Sequence, residues 1–229
     1  MTATEFEHFL GDLGHGSLCV LDRNIAKSDY VPLDLSVTNN QLKTVDVSSA
    51  ETLGTYINRH IAIKKGKIAF GGYLEKRGIY NRSDYFNDQN PETERTIHLG
   101  LDVWIEAETP IYAPLAGEVH SFQNNTNFGD YGPTIILKHH IQNVTFYTLY
   151  GHLSVASIEN LQIGQPFQKG EKLATLGDAA VNGDYAPHLH FQIIKDLQNF
   201  SGDYPGVSSK KDLEFYKQNC PDPNLLLQL

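Results

Sequence analysis

The stretch PIYAPLAGEVHSFQNNTNFGDYGPTIILKHHIQNVTFYTLYG, residues 110–151, decides the fold. It contains four short runs rich in β-branched and aromatic residues, PIYAPL, GEVHSF, TIILKH and VTFYTLY, each set off by turn-forming residues. Further runs of the same kind lie upstream (VWIEA) and downstream (KLATLG and HLHFQII). Short strands with regular turn punctuation predict an antiparallel β module between Arg95 and Lys195 rather than alternating βα units.

Working outward, Gly66, Gly71, Gly72 and Gly78 punctuate segments holding Ile68, Phe70, Tyr73 and Tyr80, as in a sheet with tight connections. Asp88 to Glu92 reads as a surface loop, and residues from Ser17 to about Ala50 give only weak strand signals. At the start, Thr4 and Glu7 have capping-box spacing, and Phe6, Phe9, Leu10 and Leu13 follow at helical spacing before Gly14, which predicts a short amphipathic helix. Near the end, Ser209 and Asp212 form a second cap pattern, and Leu213, Tyr216 and Cys220 share a helical face that Pro221 ends. The expected class is mainly β, an antiparallel sheet core with N- and C-terminal helical extensions. The expected parts are an extension over 1–90, the β domain over 91–199 and a helical tail over 200–229.

Composition narrows the partners. The 229 residues are 40% hydrophobic and 20% charged, which suits a globular chain. The net charge of −9 would repel a phosphate backbone, so nucleic acid is not expected as a partner. No run approaches the ~20 apolar residues of a membrane span. The start carries Glu5, Glu7 and Asp12 and no basic, apolar leader, so the sequence as it stands implies a cytoplasmic protein, or a periplasmic or secreted one if a leader has been trimmed. Cys19 and Cys220 are too isolated for a disulfide framework and read as two buried thiols.

Ten histidines need sorting by their neighbours. His8, His15 and His60 read as surface residues, and His120, His139 and His140 as structural or exposed. Four remain: His98 with Asp102 in HLGLD, His152 in YGHLS, and His188 with His190 in PHLHF. Strand residues two apart share a face about 6.5 Å apart, so His188 and His190 can face one site while Leu189 and Phe191 face the core. His98 and Asp102 would lie roughly 13 Å apart in an ideal strand, so the chain must curl between them, through a bulge or a positive φ at Gly100. Two imidazoles and one carboxylate make a common catalytic zinc set with a fourth position left open, and the two histidines left over then need a role. Gly-x-Ser-x-Gly and phosphate-loop motifs are absent.

Taken in order, HLGLD, PIYAPLAGEV, GDYGPTIILKH, YTLYGHLS, IGQPFQKGEKLATLG and PHLHFQI resemble the zinc metallopeptidase family M23, the LytM and lysostaphin-like endopeptidases, over roughly residues 95–195. The resemblance implies one zinc ion per chain held by His98, Asp102 and His190, with His152 and His188 as the catalytic pair. One of that pair would take the proton of an attacking water and the other would stabilise the oxyanion. The implied partner is a peptide, with cell-wall-derived and glycine-containing peptides among the candidates. The alternatives are a non-catalytic LytM-like binding or regulatory module, and a cytoplasmic hydrolase of a small peptide or amino-acid derivative. Tyr131, in the GDYG turn, is a candidate substrate contact, although an exposed turn tyrosine is the plainer reading. Trp104 reads as packing.

The chain departs from the family pattern at LGDAAVNGDYAPHLHF, where Ala186 replaces an expected glycine and Asp184 and Tyr185 are inserted, and at Gln192, where the family usually has Glu. A second stretch, GGYLEKRGIYNRSDYF, resembles the central section of multidomain proteins that set an M23-like module between a phosphotransferase-like domain and an aminotransferase.

Overall fold

The structure, a computed structural model, describes residues 1–16, 18–87 and 90–229. Ser17, Asp88 and Gln89 lie outside the described residues, and with the last two goes the start of the expected Asp88–Glu92 loop.

The chain runs through α1 (Ala3–Gly14), β1 (Tyr30–Pro32), α2 (Ala50–Lys64), β2 (Ile68–Gly71), β3 (Arg95–His98), β4 (Leu101–Trp104), β5 (Pro110–Tyr112), β6 (Gly117–Asn125), β7 (Gly132–Ile141) and β8 (Val144–Gly151). It continues with β9 (Pro166–Phe167), β10 (Lys172–Thr175), β11 (His188–Ile194), β12 (Val207–Ser209), α3 (Leu213–Asn219) and α4 (Asn224–Leu227). One eight-stranded sheet has the order β1-β2-β4-β11-β8-β7-β6-β9, and the pairs β10-β5 and β12-β3 stand apart from it. Every pairing is antiparallel except β1 with β2, so the expected mainly β, antiparallel class is observed.

Period-two alternation sends the two sides of the sheet into different cores. Leu189, Phe191 and Ile193 of β11, with Ile135 and Leu137 of β7, meet Phe6 and Leu10 of α1 in the largest cluster. The opposite side of β11 carries His188, His190 and Gln192, so the site lies on the face away from α1.

The first helix begins two residues earlier than its sequence suggests. Thr2, not Thr4, is the N-cap, and it exchanges bonds with Glu5: Glu5 N–H donates to Thr2 Oγ1 at 3.2 Å and Thr2 N–H to Glu5 Oε2 at 2.7 Å. Both threonines have a Glu three residues on, and the earlier start adds backbone bonds ahead of the buried Phe6. Helix α2 had no counterpart in the sequence reading. Ser49 caps it, only Leu53 and Ile57 are buried along it, and Gly54 interrupts its apolar pattern, so its amphipathic signal is weak. Near the C-terminus, Ser209 Oγ accepts from Asp212 N–H at 3.1 Å just before α3, and Cys220 is buried beyond it. Cys220 and the half-buried Cys19 are both free. Among the described residues no helix is long and apolar enough to cross a membrane.

Candidate active site

Strand register assembles the site. On β11, His190 sits opposite Asp102 of β4 on one side and Gly151 of β8 on the other, with His152 one residue past Gly151. His98 ends β3, which pairs with β12, whereas β4 pairs with β2 and β11, so the chain changes partners between His98 and Asp102. That change of sheet does what a bulge was expected to do. Gly100 does not adopt a positive φ; its role is space, because a Cβ there would lie 2.5 Å from His190 Cε1 and 2.6 Å from Nε2.

His98, Asp102 and His190 converge. His98 Nε2 and His190 Nδ1 each lie 3.2 Å from Asp102 Oδ1 and 2.8 Å from each other. The far nitrogens settle the tautomers. His98 Nδ1 donates to Gly72 O at 2.9 Å, and His190 Nε2 donates to Gln192 Oε1 at 2.9 Å. The amide of Gln192 is held in that orientation because its Nε2 donates to Pro205 O at 3.1 Å. Each imidazole therefore turns a lone pair toward the other and toward Asp102 Oδ1, which is buried and accepts no hydrogen bond.

Three acceptors facing one another without a proton repel unless a cation lies between them. Tetrahedral coordination at about 2.0–2.1 Å would set neighbouring donors about 3.3 Å apart, close to the spacing observed. This donor set fits a metal ion.

Electrostatics keep the donors ready. Burial, reinforced by Arg77, pushes the His98 imidazole down to about 3, so it is neutral at neutral pH. Burial alone would raise the Asp102 carboxyl, but His98 and Arg77 facing it more than offset that and hold it well below the usual carboxylate range. Arg77 is 4% exposed, and its Nη1 donates to Asp102 Oδ2 at 2.5 Å while its Nε donates to Glu75 Oε2 at 2.8 Å. The guanidinium takes one carboxylate oxygen and leaves the other for the site. Gly72, at φ +106°, must lack a side chain here, since a Cβ would come upon Arg77 Nη2.

His152 and His188 lie beside this cluster with ring centroids 4.2 Å apart. Their Nδ1 atoms donate to Asn182 O and Ala186 O, both at 2.8 Å, which leaves each Nε2 as an acceptor. His188 Nε2 is 3.9 Å from Asp102 Oδ1. Burial lowers the pKa of both rings. His152 has φ +63°, a strained conformation for a non-glycine residue, held by bonds from its N–H to Tyr131 O and from Gly177 N–H to its own carbonyl, each 2.9 Å.

Tyr131 is not an exposed turn residue. It is buried, its ring centroid is 5.0 Å from that of His190 and 5.6 Å from that of His152, and its hydroxyl donates to Tyr204 O at 3.2 Å. Trp104 packs as expected, stacked on His188 at 5.7 Å. Away from the site, His139 is a core histidine bonded to Ala116 O and Thr148 Oγ1, while His8 and His15 are exposed. Sequence reasoning gave Gly72, Arg77, Asn182 and Gln192 no part in the site. Gln192 had a signal, two residues past His190 on the same strand face, but Arg77 had none.

Residues 96–201 match the model described as Peptidase family M23. Over that segment the chain is similar to peptidase family M23. Among solved structures, the catalytic domain of the antimicrobial peptidase lysostaphin from Staphylococcus simulans is 25% identical, with 53% of this chain and 80% of that chain covered and a TM-score of 0.37. A zinc-containing peptidase from Vibrio cholerae is 27% identical over 45% of this chain and 31% of that chain, with a TM-score of 0.35. A mutant catalytic domain of the prophage-encoded M23 protein EnpA from Enterococcus faecalis is 21% identical over 59% of this chain and 88% of that chain, with a TM-score of 0.39. No curated protein matches the chain. Within the M23 segment lie all five candidate site residues, whereas Gly72, Glu75, Arg77 and Pro205, which hold three of them directly or through Gln192, lie outside it.

Proposed function

We propose that this protein is a zinc-dependent peptidase in which His98, Asp102 and His190 hold one zinc ion and His152 and His188 carry the proton chemistry. The observation behind the reading is the convergence of His98 Nε2, His190 Nδ1 and the unpartnered Asp102 Oδ1, three buried acceptors with no proton among them. When bound, zinc supplies Lewis acidity toward the scissile carbonyl and toward water.

The two remaining imidazoles divide the other work. Each presents an Nε2 lone pair, and one of them takes the proton of the attacking water and returns it to the leaving amine. The other must be protonated to donate to the developing oxyanion, a state that its burial disfavours until a negative charge arises beside it. The carbonyls of Asn182 and Ala186 fix both rings for these roles. Tyr131 lines the same cavity and serves as a substrate contact. In this reading residues 91–199 are the peptidase module, 1–90 an extension that buttresses it and 200–229 a tail. The substrate is a peptide.

The test pairs metal content with turnover. Zinc is measured by mass spectrometry after dialysis, and cleavage is followed in a mixture of muropeptides, glycine-rich peptides and short peptides. Asp102→Ala should lose its zinc, and His188→Ala should keep zinc while its rate falls by about 10²–10⁴. Full zinc in Asp102→Ala, or wild-type turnover in His188→Ala, overturns the assignment.

A further inference from the structure

The five site residues are almost sealed from solvent: His98 is 2% exposed, Asp102 1%, His152 5%, His188 6% and His190 2%. They open into a cavity of about 50 Å³ whose lining mixes M23 residues with residues from both flanks of the chain. Ile79, Tyr80 and Phe86 come from the extension and pack in one hydrophobic cluster with Trp104, Tyr185 and Val207, with Leu35 and Leu53 in the same cluster. Trp104 and Tyr185 are in turn the neighbours of His188.

The cover is fastened down at its rim. Arg82 donates to Asp184 O at 2.6 Å and to Ser48 O at 2.8 Å, and its guanidinium lies 4.5 Å over Tyr185 and 4.9 Å over Phe128. Ser83 Oγ donates to Phe128 O at 2.5 Å. The extension is thus tied to both loops that border the histidines, the 127–131 loop and the 182–187 loop.

A peptide bond inside a long chain reaches such a site only if the chain extends away on both sides, each residue needing about 3.3 Å of groove. Here the walls of the cavity are built by that packed cluster, Ile79, Tyr80 and Phe86 among them, rather than by an open groove. With about 50 Å³ of free room, well below the roughly 300–1,000 Å³ of pockets that enclose a drug-sized ligand, the site has space for only a small part of a chain. We infer that the site takes short peptides with at least one free end near the scissile bond, and not bonds buried within a polypeptide or a crosslinked polymer. This rests on the peptidase reading. The reaction is simple hydrolysis: the amide C–N bond breaks, a C–O bond to water forms, and one water proton goes to the departing amine. Tyr185 and the Arg82 clamp over it, both at the rim of the cavity, set the length limit.

The experiment uses the full chain loaded with zinc and two libraries read by mass spectrometry. One holds di- and tripeptides of all common residues; the other holds 12-residue peptides, blocked at both ends and randomised at the centre. The best short peptide should exceed any central bond of the blocked peptides at least 100-fold in kcat/KM, and single-end blocking shows which end is recognised. Arg82→Ala should narrow that ratio. Central bonds cut within threefold of short peptides overturn this inference and leave the peptidase reading intact. No cleavage in either library by zinc-loaded protein overturns both.

Discussion

The M23 segment and the extension before it contribute to the same site in different ways. Among the described residues, 98–190 supply the three donors that face the candidate metal position, yet two of them are held from the extension: Gly72 O orients His98 and Arg77 takes the second oxygen of Asp102. The M23 segment carries the candidate groups and fixes the rings of His152, His188 and His190 itself, while the extension fixes the tautomer of His98 and the charge of Asp102. Outer partners of this kind govern ligand basicity and orientation, so the extension belongs to the site's chemistry as well as to its packing.

Arg77→Met puts that comparison at greatest risk. Removing the guanidinium leaves a buried carboxylate without its partner, which should cost about 3–5 kcal/mol in urea unfolding of the metal-free protein. Zinc affinity, measured by chelator competition, should fall by about 10–100-fold, with part recovered in Arg77→Lys. A loss of stability with unchanged affinity would reduce the extension to packing. Gln192→Ala tests the same idea inside the M23 segment. It frees His190 Nε2 while leaving Nδ1 in place, and zinc affinity should drop by about 10-fold with the sheet intact by circular dichroism.

The smallest effect is a control at a histidine far from the donors. Burial lowers His139 to about 4, so the folded state keeps it neutral while the unfolded chain protonates near 6.5. Its stabilising contribution is complete above pH 6.5 and is lost as pH falls toward 4, at about 1.4 kcal/mol per pH unit. His139→Gln should reduce the protons taken up on unfolding in that window by about one, and zinc content should stay the same. Altered zinc content would show that the sheet transmits strain to the site.

Much of this was readable from neighbouring residues. The strand run from VWIEA to HLHFQII is observed, because β-branched runs and turns are local signals. The shared face of His188 and His190 is also observed, since it follows from the period of a strand. Helix α2 escaped because two buried side chains make a faint stripe, and the Gly100 expectation erred because backbone freedom and lack of room are indistinguishable in a sequence. Tyr131 read as exposed because a turn motif says nothing of what packs over it.

By itself the sequence determined the class of fold and the local pairs of candidate groups, His98 with Asp102 and His188 with His190, each set by residues within a few positions of one another. Only the tertiary structure decided which groups hold those donors and how closed the site is. Arg77 meets Asp102 across 25 positions, and Arg82 meets Asp184 across 102. Contacts at that separation form when the hydrophobic cores bring distant segments together, and no local period encodes them.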